Sequence, residues 1–293
     1  VSRFPRLLCA SLAAAALAVS VSPAQAANLQ ADLFQDVNKG PSGSYPEAFM
    51  PIRNALWTSV QDGSTGFEPH RFQNGKLKLL ADIWPGHVGS DPSQSVELDG
   101  DIYFAAADEV HGEELWRSDG NTVELVKDID PGAASSNPSG LTVLGGRLIF
   151  AARTAAGGEE LWQYSGGTTS LLADINPGAD SSFPSGFTIF QGKAYFAAYT
   201  NSDGMELWST DGTTTSEIVN YYPGSGGTYP TYLTAAGANL FMSGIDPAKG
   251  QELFKYDGVT LAPAADIEPG MTSSSPDSLV AIGNRVVFRA YTA

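Results

Sequence analysis

Pro-Gly pairs recur in this chain at residues 85–86, 131–132, 177–178, 223–224 and 269–270, 46 residues apart each time. Around each pair the chain repeats one pattern: Asp-Ile-x-Pro-Gly, Ser-Ser-x-Pro, an apolar run, a Gly turn, an aromatic-Ala stretch and Gly-x-Glu-Leu-Trp. A fixed period of this length means an array of one supersecondary unit. Units open at Asp36, Asp82, Asp128, Asp174, Asn220 and Asp266, giving repeats 36–81, 82–127, 128–173, 174–219 and 220–265 and a partial copy, 266–293.

The third unit shows the grammar. Strands are expected over 141–144, 147–153, 159–165 and 169–174, with Gly145-Gly146 and Gly166-Gly167 as tight turns that need positive φ. Four short strands per period, without helical periodicity, make an antiparallel meander. Such a sheet cannot bury both faces alone. The expected fold is therefore all-β, a β-propeller of four-stranded blades, with a linear β-solenoid as the alternative. Six blades are expected, the last incomplete: 266–293 stops after its second strand, and 28–35, aligned with a fourth strand, supplies its outer edge. Ten residues, the Gly-x-Glu-Leu-Trp strand, are then lacking, and a chain cut short after Ala293 is the favoured explanation.

Residues 1–26 read as a secretory signal. Arg3 and Arg6 precede an apolar run from Leu7 to Val21, and Ala24-Gln25-Ala26 fits the cleavage site, placing the cut near Ala26–Ala27. The run is shorter than the ~20 residues of a membrane span. The expected product is secreted (extracellular, cell-surface or periplasmic), one domain over 27–293, and without cysteine, since Cys9 leaves with the signal. Its loss leaves 14 basic against 32 acidic residues, a formal charge of −18. That balance disfavours nucleic acid and anionic lipid as partners.

Glu114-Leu115-Trp116-Arg117-Ser118-Asp119-Gly120 and Glu206-Leu207-Trp208-Ser209-Thr210-Asp211-Gly212-Thr213 resemble the signature of the bacterial ELW-x-x-DGT repeat family, hyalin-like secreted repeat proteins. The resemblance covers about 28–293 and implies secreted or surface proteins of propeller type, without a settled activity. The chain departs from the signature at Pro69-His70, at Phe254, and at Tyr164-Ser165-Gly166-Gly167.

Features present in every unit are first explained by the scaffold. Glu68, Glu114, Glu160, Glu206 and Glu252 share one repeat position. As a ring they could hold cations; as buried charges they would accept backbone hydrogen bonds from a neighbouring blade, the preferred reading. Trp116, Trp162, Trp208 and Phe254 read as packing between blades. The opening Asp residues read as holders of the Pro-Gly turn, since no closely spaced calcium loop occurs; Ca²⁺ is compatible with the acidic chain but no specific motif supports it, and no cofactor is expected. His70, His87 and His111 do not have zinc spacing, and neither a nucleophile elbow nor a phosphate loop is present.

The residue before Pro-Gly varies: Asn38, Trp84, Asp130, Asn176, Tyr222 and Glu268. The meander puts these positions on one end with the other long loops, where side chains are free to vary for function or drift as solvated turns. As a set they are the candidate ligand-binding residues, aromatic rings to stack on sugars and amides or carboxylates to bond hydroxyls. The leading expectation is a secreted, non-catalytic scaffold binding a glycan or an extracellular protein through its long-loop face. Alternatives are an extracellular polysaccharide hydrolase or lyase with carboxylates in the channel, and a structural surface-layer component.

Overall fold

The computed structural model describes residues 36–38 and 43–292. The expected signal sequence and the strand expected over 28–35 lie outside the described residues. What is described is all-β: five four-stranded antiparallel sheets and one two-stranded sheet, each with its strands side by side in chain order. Among the described residues there is no helix, so none is long and apolar enough to cross a membrane.

Sheet 3 matches the expected unit closely, with strands Ser139–Leu144, Arg147–Thr154, Gly158–Ser165 and Thr168–Ala173. The turn glycines take positive φ as the hairpin requires, Gly145 at 55° and Gly146 at 76°. The first strands of the six sheets are Glu47–Ile52, Ser93–Leu98, Ser139–Leu144, Ser185–Phe190, Thr231–Ala236 and Asp277–Ile282. Sheet 6 ends with its second strand, Arg285–Arg289.

Second strands show why one sheet cannot stand alone. Along Arg147–Thr154, Leu148, Phe150 and Ala152 pack against sheet 2, while Ile149 turns to sheet 4; all four are buried. Ile102, Phe104 and Ala106 pack in the same way on sheet 1, with the Trp57 and Phe104 rings 5.0 Å apart. Ala194, Phe196 and Ala198 repeat the arrangement on sheet 3, and Leu240 and Met242 on sheet 4. Alternate side chains thus serve opposite neighbours, which is what period 2 allows. Each Phe so buried contributes about 2–3 kcal/mol.

Third strands add the expected aromatics to the same interfaces: Trp116, Trp162, Trp208 and Phe254 all pack against the preceding sheet's contact. Where the signature breaks, His70 fills the Trp position, buried, with Nδ1 2.9 Å from the Glu68 carbonyl oxygen. Burial pushes the His70 pKa down. The first strands of consecutive sheets lie closest together, so sheets 1 to 6 fan outward from their first strands.

Candidate functional site

The five repeated glutamates have a single job. Glu114 accepts from Ile129 N at 3.0 Å, Ser136 N at 3.0 Å and Ser136 Oγ at 2.6 Å. Glu160 repeats this with Ile175 N, Ser182 N and Ser182 Oγ, and Glu252 with Ile267 N, Ser274 N and Ser274 Oγ. Glu68 takes Ile83 N, Trp84 N and both groups of Ser90, and Glu206 takes Tyr222 N and both groups of Thr228. Each carboxylate is buried and faces the linker that enters the next sheet. Burial pushes the carboxyls of Glu68, Glu114, Glu160 and Glu206 up, and the donated bonds hold them back. The preferred scaffold reading holds. These oxygens are spent on the linkers.

The Gly-x-Glu spacing follows from the same contact. Gly158 sits at φ 67°, and a Cβ there would lie 2.5 Å from the Asp180 carbonyl oxygen. The linker passes against the bare glycine, and two residues later the glutamate receives its amides. The linker hydroxyl residue, serine in four junctions and Thr228 in the fifth, is fully used: Ser182 also gives its carbonyl to Tyr199 N at 2.7 Å.

The Asp-Gly turns between third and fourth strands are Asx turns. Asp119 Oδ1 accepts from Asn121 N and Thr122 N, and Asp211 Oδ1 from Thr213 N and Thr214 N, each at 2.7–2.8 Å. Those bonds hold both carboxyls down at about 2. Of the opening aspartates, Asp128 holds its Pro-Gly turn through Gly132 N at 3.3 Å. Among the described residues no cluster of three or more His, Cys, Asp or Glu side chains could hold a metal ion.

The six candidate binding residues part company. Asp130 is buried and its Oδ1 accepts from Ala155 N at 3.0 Å. Asn176, also buried, accepts from Asn201 N at 3.2 Å and donates to the Ser181 carbonyl. Asn38 lies against Gly63 in the equivalent place and donates to the Gly43 carbonyl. Asp130 and Asn176 clasp the linker to the loop between second and third strands, a packing duty not expected at this variable position. In unit five the residue equivalent to Ala155 and Asn201 is Pro247, without an N–H, and Tyr222 takes the repeat position of the clasping residue. Trp84, Tyr222 and Glu268 are half-buried, Tyr222 with its ring against Gly226.

A feature the sequence did not disclose lies three residues apart at the start of every first strand. The residue before each Ser-Ser-x-Pro proline is left-handed: Tyr45, Asp91, Asn137, Phe183, Tyr229 and Ser275, with φ from 40° to 50°. So is the bulge residue three further on, at Ala48, Gln94, Gly140, Gly186, Tyr232 and Ser278, where each ladder shifts register. A pre-proline residue is ordinarily extended. In sheets 2 to 6 its amide is claimed by the preceding sheet, as in Tyr229 N to the Met205 carbonyl at 2.9 Å. That bond favours the left-handed conformation in sheets 2 to 6, while Tyr45 adopts it at the start of sheet 1 as well.

Between the first strands of sheets 2 to 5 is a cavity of about 480 Å³, lined by Gln94, Ser95, Gly140–Thr142, Gly186–Thr188, Tyr232 and Leu233. Every lining side chain is uncharged. Bonds cross from strand to strand in its wall: Gly140 N donates to Gln94 Oε1 at 3.2 Å, and Thr188 Oγ1 to the Leu233 carbonyl at 2.9 Å. The buried Ser95 hydroxyl has no partner.

No protein-family model and no curated protein matches the chain. Among solved structures, a prolyl endopeptidase aligns with TM-score 0.53 at 13% identity over 85% of this chain and 40% of its own. A puromycin hydrolase mutant aligns at 0.45 and 14%, over 83% and 41%. The GH74 xyloglucanase from Xanthomonas campestris aligns at 0.41 and 16%, over 74% and 37%. The chain spans less than half the length of each of these proteins. The first likeness is one of fold, to a propeller-type peptidase, and reaches no further.

Proposed function

We propose that the chain is a secreted, non-catalytic six-bladed propeller of the ELW-x-x-DGT type that binds a glycan through its long-loop face. The observation that carries this reading is the contrast between the two kinds of position at that end. Positions common to all units are consumed by the scaffold, as the glutamates and linker serines are. Positions that differ between units expose large apolar or aromatic groups, among them Tyr45, Val88, Val110, Phe183, Tyr229 and Met271. Isolated exposed apolar residues need no explanation, but several gathered at one end mark an interaction surface. Aromatic rings beside neutral polar groups suit sugar rings and their hydroxyls.

A glycan array probed with purified protein tests the reading, in wild type and in the Trp84→Ala, Tyr222→Ala double variant. Binding of at least one glycan is expected, weakened at least several-fold by the double change with thermal unfolding unaltered. No binding across the array would remove the glycan reading. Equal binding by both proteins would move the contact away from Trp84 and Tyr222.

A further inference from the structure

The left-handed aromatics and the cavity belong to one place. Tyr232 is both a bulge residue and part of the cavity lining, and Phe183 and Tyr229 occupy the left-handed positions three residues before Gly186 and Tyr232. Phe183 is 52% exposed, Tyr229 45% and Tyr232 52%, so about half of each residue's surface is offered to solvent. A bulky residue at positive φ is a genuine outlier, and such strain gathers where function requires it. The other units hold Tyr45, Asp91, Asn137 and Ser275 at the first position and Ala48, Gln94, Gly140 and Ser278 at the second, and sheet 4 itself has Gly186 there. The fold tolerates small residues, and in adjacent sheets 4 and 5 the chain carries large aromatics instead.

Charge narrows the occupant. In a chain with 32 acidic residues and a net charge of −16 the side chains that line this cavity are all uncharged, and the charges nearest them are the Arg289–Asp277 ion pair beside Tyr232 and Asp91 at the left-handed position of sheet 2. Its accessible polar equipment is the exposed carboxamide of Gln94, whose Oε1 is taken by Gly140 N while its NH₂ is left to donate. The volume falls within the range of small-molecule sites, about 300–1,000 Å³. Resting on the glycan reading above and sharpening it, we infer that the mouth of this cavity binds a neutral oligosaccharide. Tyr232, Tyr229 and Phe183 are its stacking platforms, and Gln94 bonds its hydroxyls.

The experiment is isothermal titration of the purified chain with cello-, malto-, xylo- and mannohexaose, and with tetragalacturonate as an anionic control. Three proteins are compared: wild type, the triple variant Phe183→Asn, Tyr229→Asn, Tyr232→Gly, and the Trp84→Ala, Tyr222→Ala pair. The triple variant uses residues that other units already hold at these positions, so folding is retained; a matching circular dichroism spectrum verifies it. Saturable binding of a neutral hexaose is expected, reduced at least tenfold in the triple variant, by a smaller, several-fold factor in the pair, and retained by Tyr232→Phe. Loss in the pair with retention in the triple variant overturns this site while the glycan reading stands. So does preference for tetragalacturonate. Silence toward every probe overturns both.

Discussion

Glu160 accepts three bonds at 2.6–2.9 Å in a buried setting, and its two oxygens face donors only. Replacing it with Gln turns one acceptor into an NH₂ aimed at an N–H or O–H. Glu160→Gln is expected to cost about 2–3 kcal/mol and Ser182→Ala about 1 kcal/mol, the double change costing less than their sum. Urea unfolding of the four proteins checks this; strict additivity would mean the pair does not interact. Gly158→Ala meets the Asp180 carbonyl oxygen at 2.5 Å in a left-handed backbone, and both faults are backbone faults that no side chain can relieve. A loss of about 2 kcal/mol or more is expected in the same assay. The glutamate's role was legible in the sequence, because a charge repeated in every unit must be satisfied by something equally repeated. Its donors were not, since the Ser-Ser-x-Pro serine carries no mark of a partner 22 residues back.

The strands themselves were legible to within a residue or two, because turn glycines and apolar runs recur in phase. What the period hid was the pair of left-handed residues that opens each first strand. Pre-proline stereochemistry argues for extended backbone at Phe183 and Tyr229, and it is overruled by amide bonds to the preceding sheet at 3.4 Å and 2.9 Å. The same blind spot covers Asp130 and Asn176, whose variability suggested freedom where the structure shows clasps of 3.0 and 3.2 Å. Strain at a first strand has a measurable sign. Phe183→Asn and Tyr232→Gly place tolerant residues in left-handed backbone, and each is expected to raise stability by about 1 kcal/mol. A fall in the urea midpoint in both variants would show that the rings are packing groups.

For the molecule as a whole, acidity is the informative variable. Burial holds Glu68, Glu114, Glu160 and Glu206 above the ordinary carboxyl value of 4.5, and Glu217 up to about 6 with Asp203 and Glu206 nearby. In the unfolded chain the same groups titrate lower, so the folded state takes up protons first as pH falls. Their contribution is fully present below about pH 4.5 and lost as pH rises through the folded values. Asp119 and Asp211, held at about 2, act oppositely: their contribution is present above 3.8 and lost as pH drops toward 2. The melting temperature is therefore expected to be higher at pH 5 than at pH 7.5 and to fall below pH 3. A flat profile from pH 7.5 to 5 would contradict it. Glu217 stands where Leu79, Leu125 and Leu171 stand in other units, beside Trp208, with a buried oxygen lacking a partner. Glu217→Leu is expected to stabilise the chain at pH 7.5 by about 1 kcal/mol after allowance for solvent screening, and to flatten the profile between pH 4.5 and 6. The carboxylate contacts that join one sheet to the next reach only 15 to 22 residues ahead along the chain. An in-frame duplication or loss of one 46-residue copy is therefore expected to bring or remove its own attachment intact, with every remaining junction keeping its original wording.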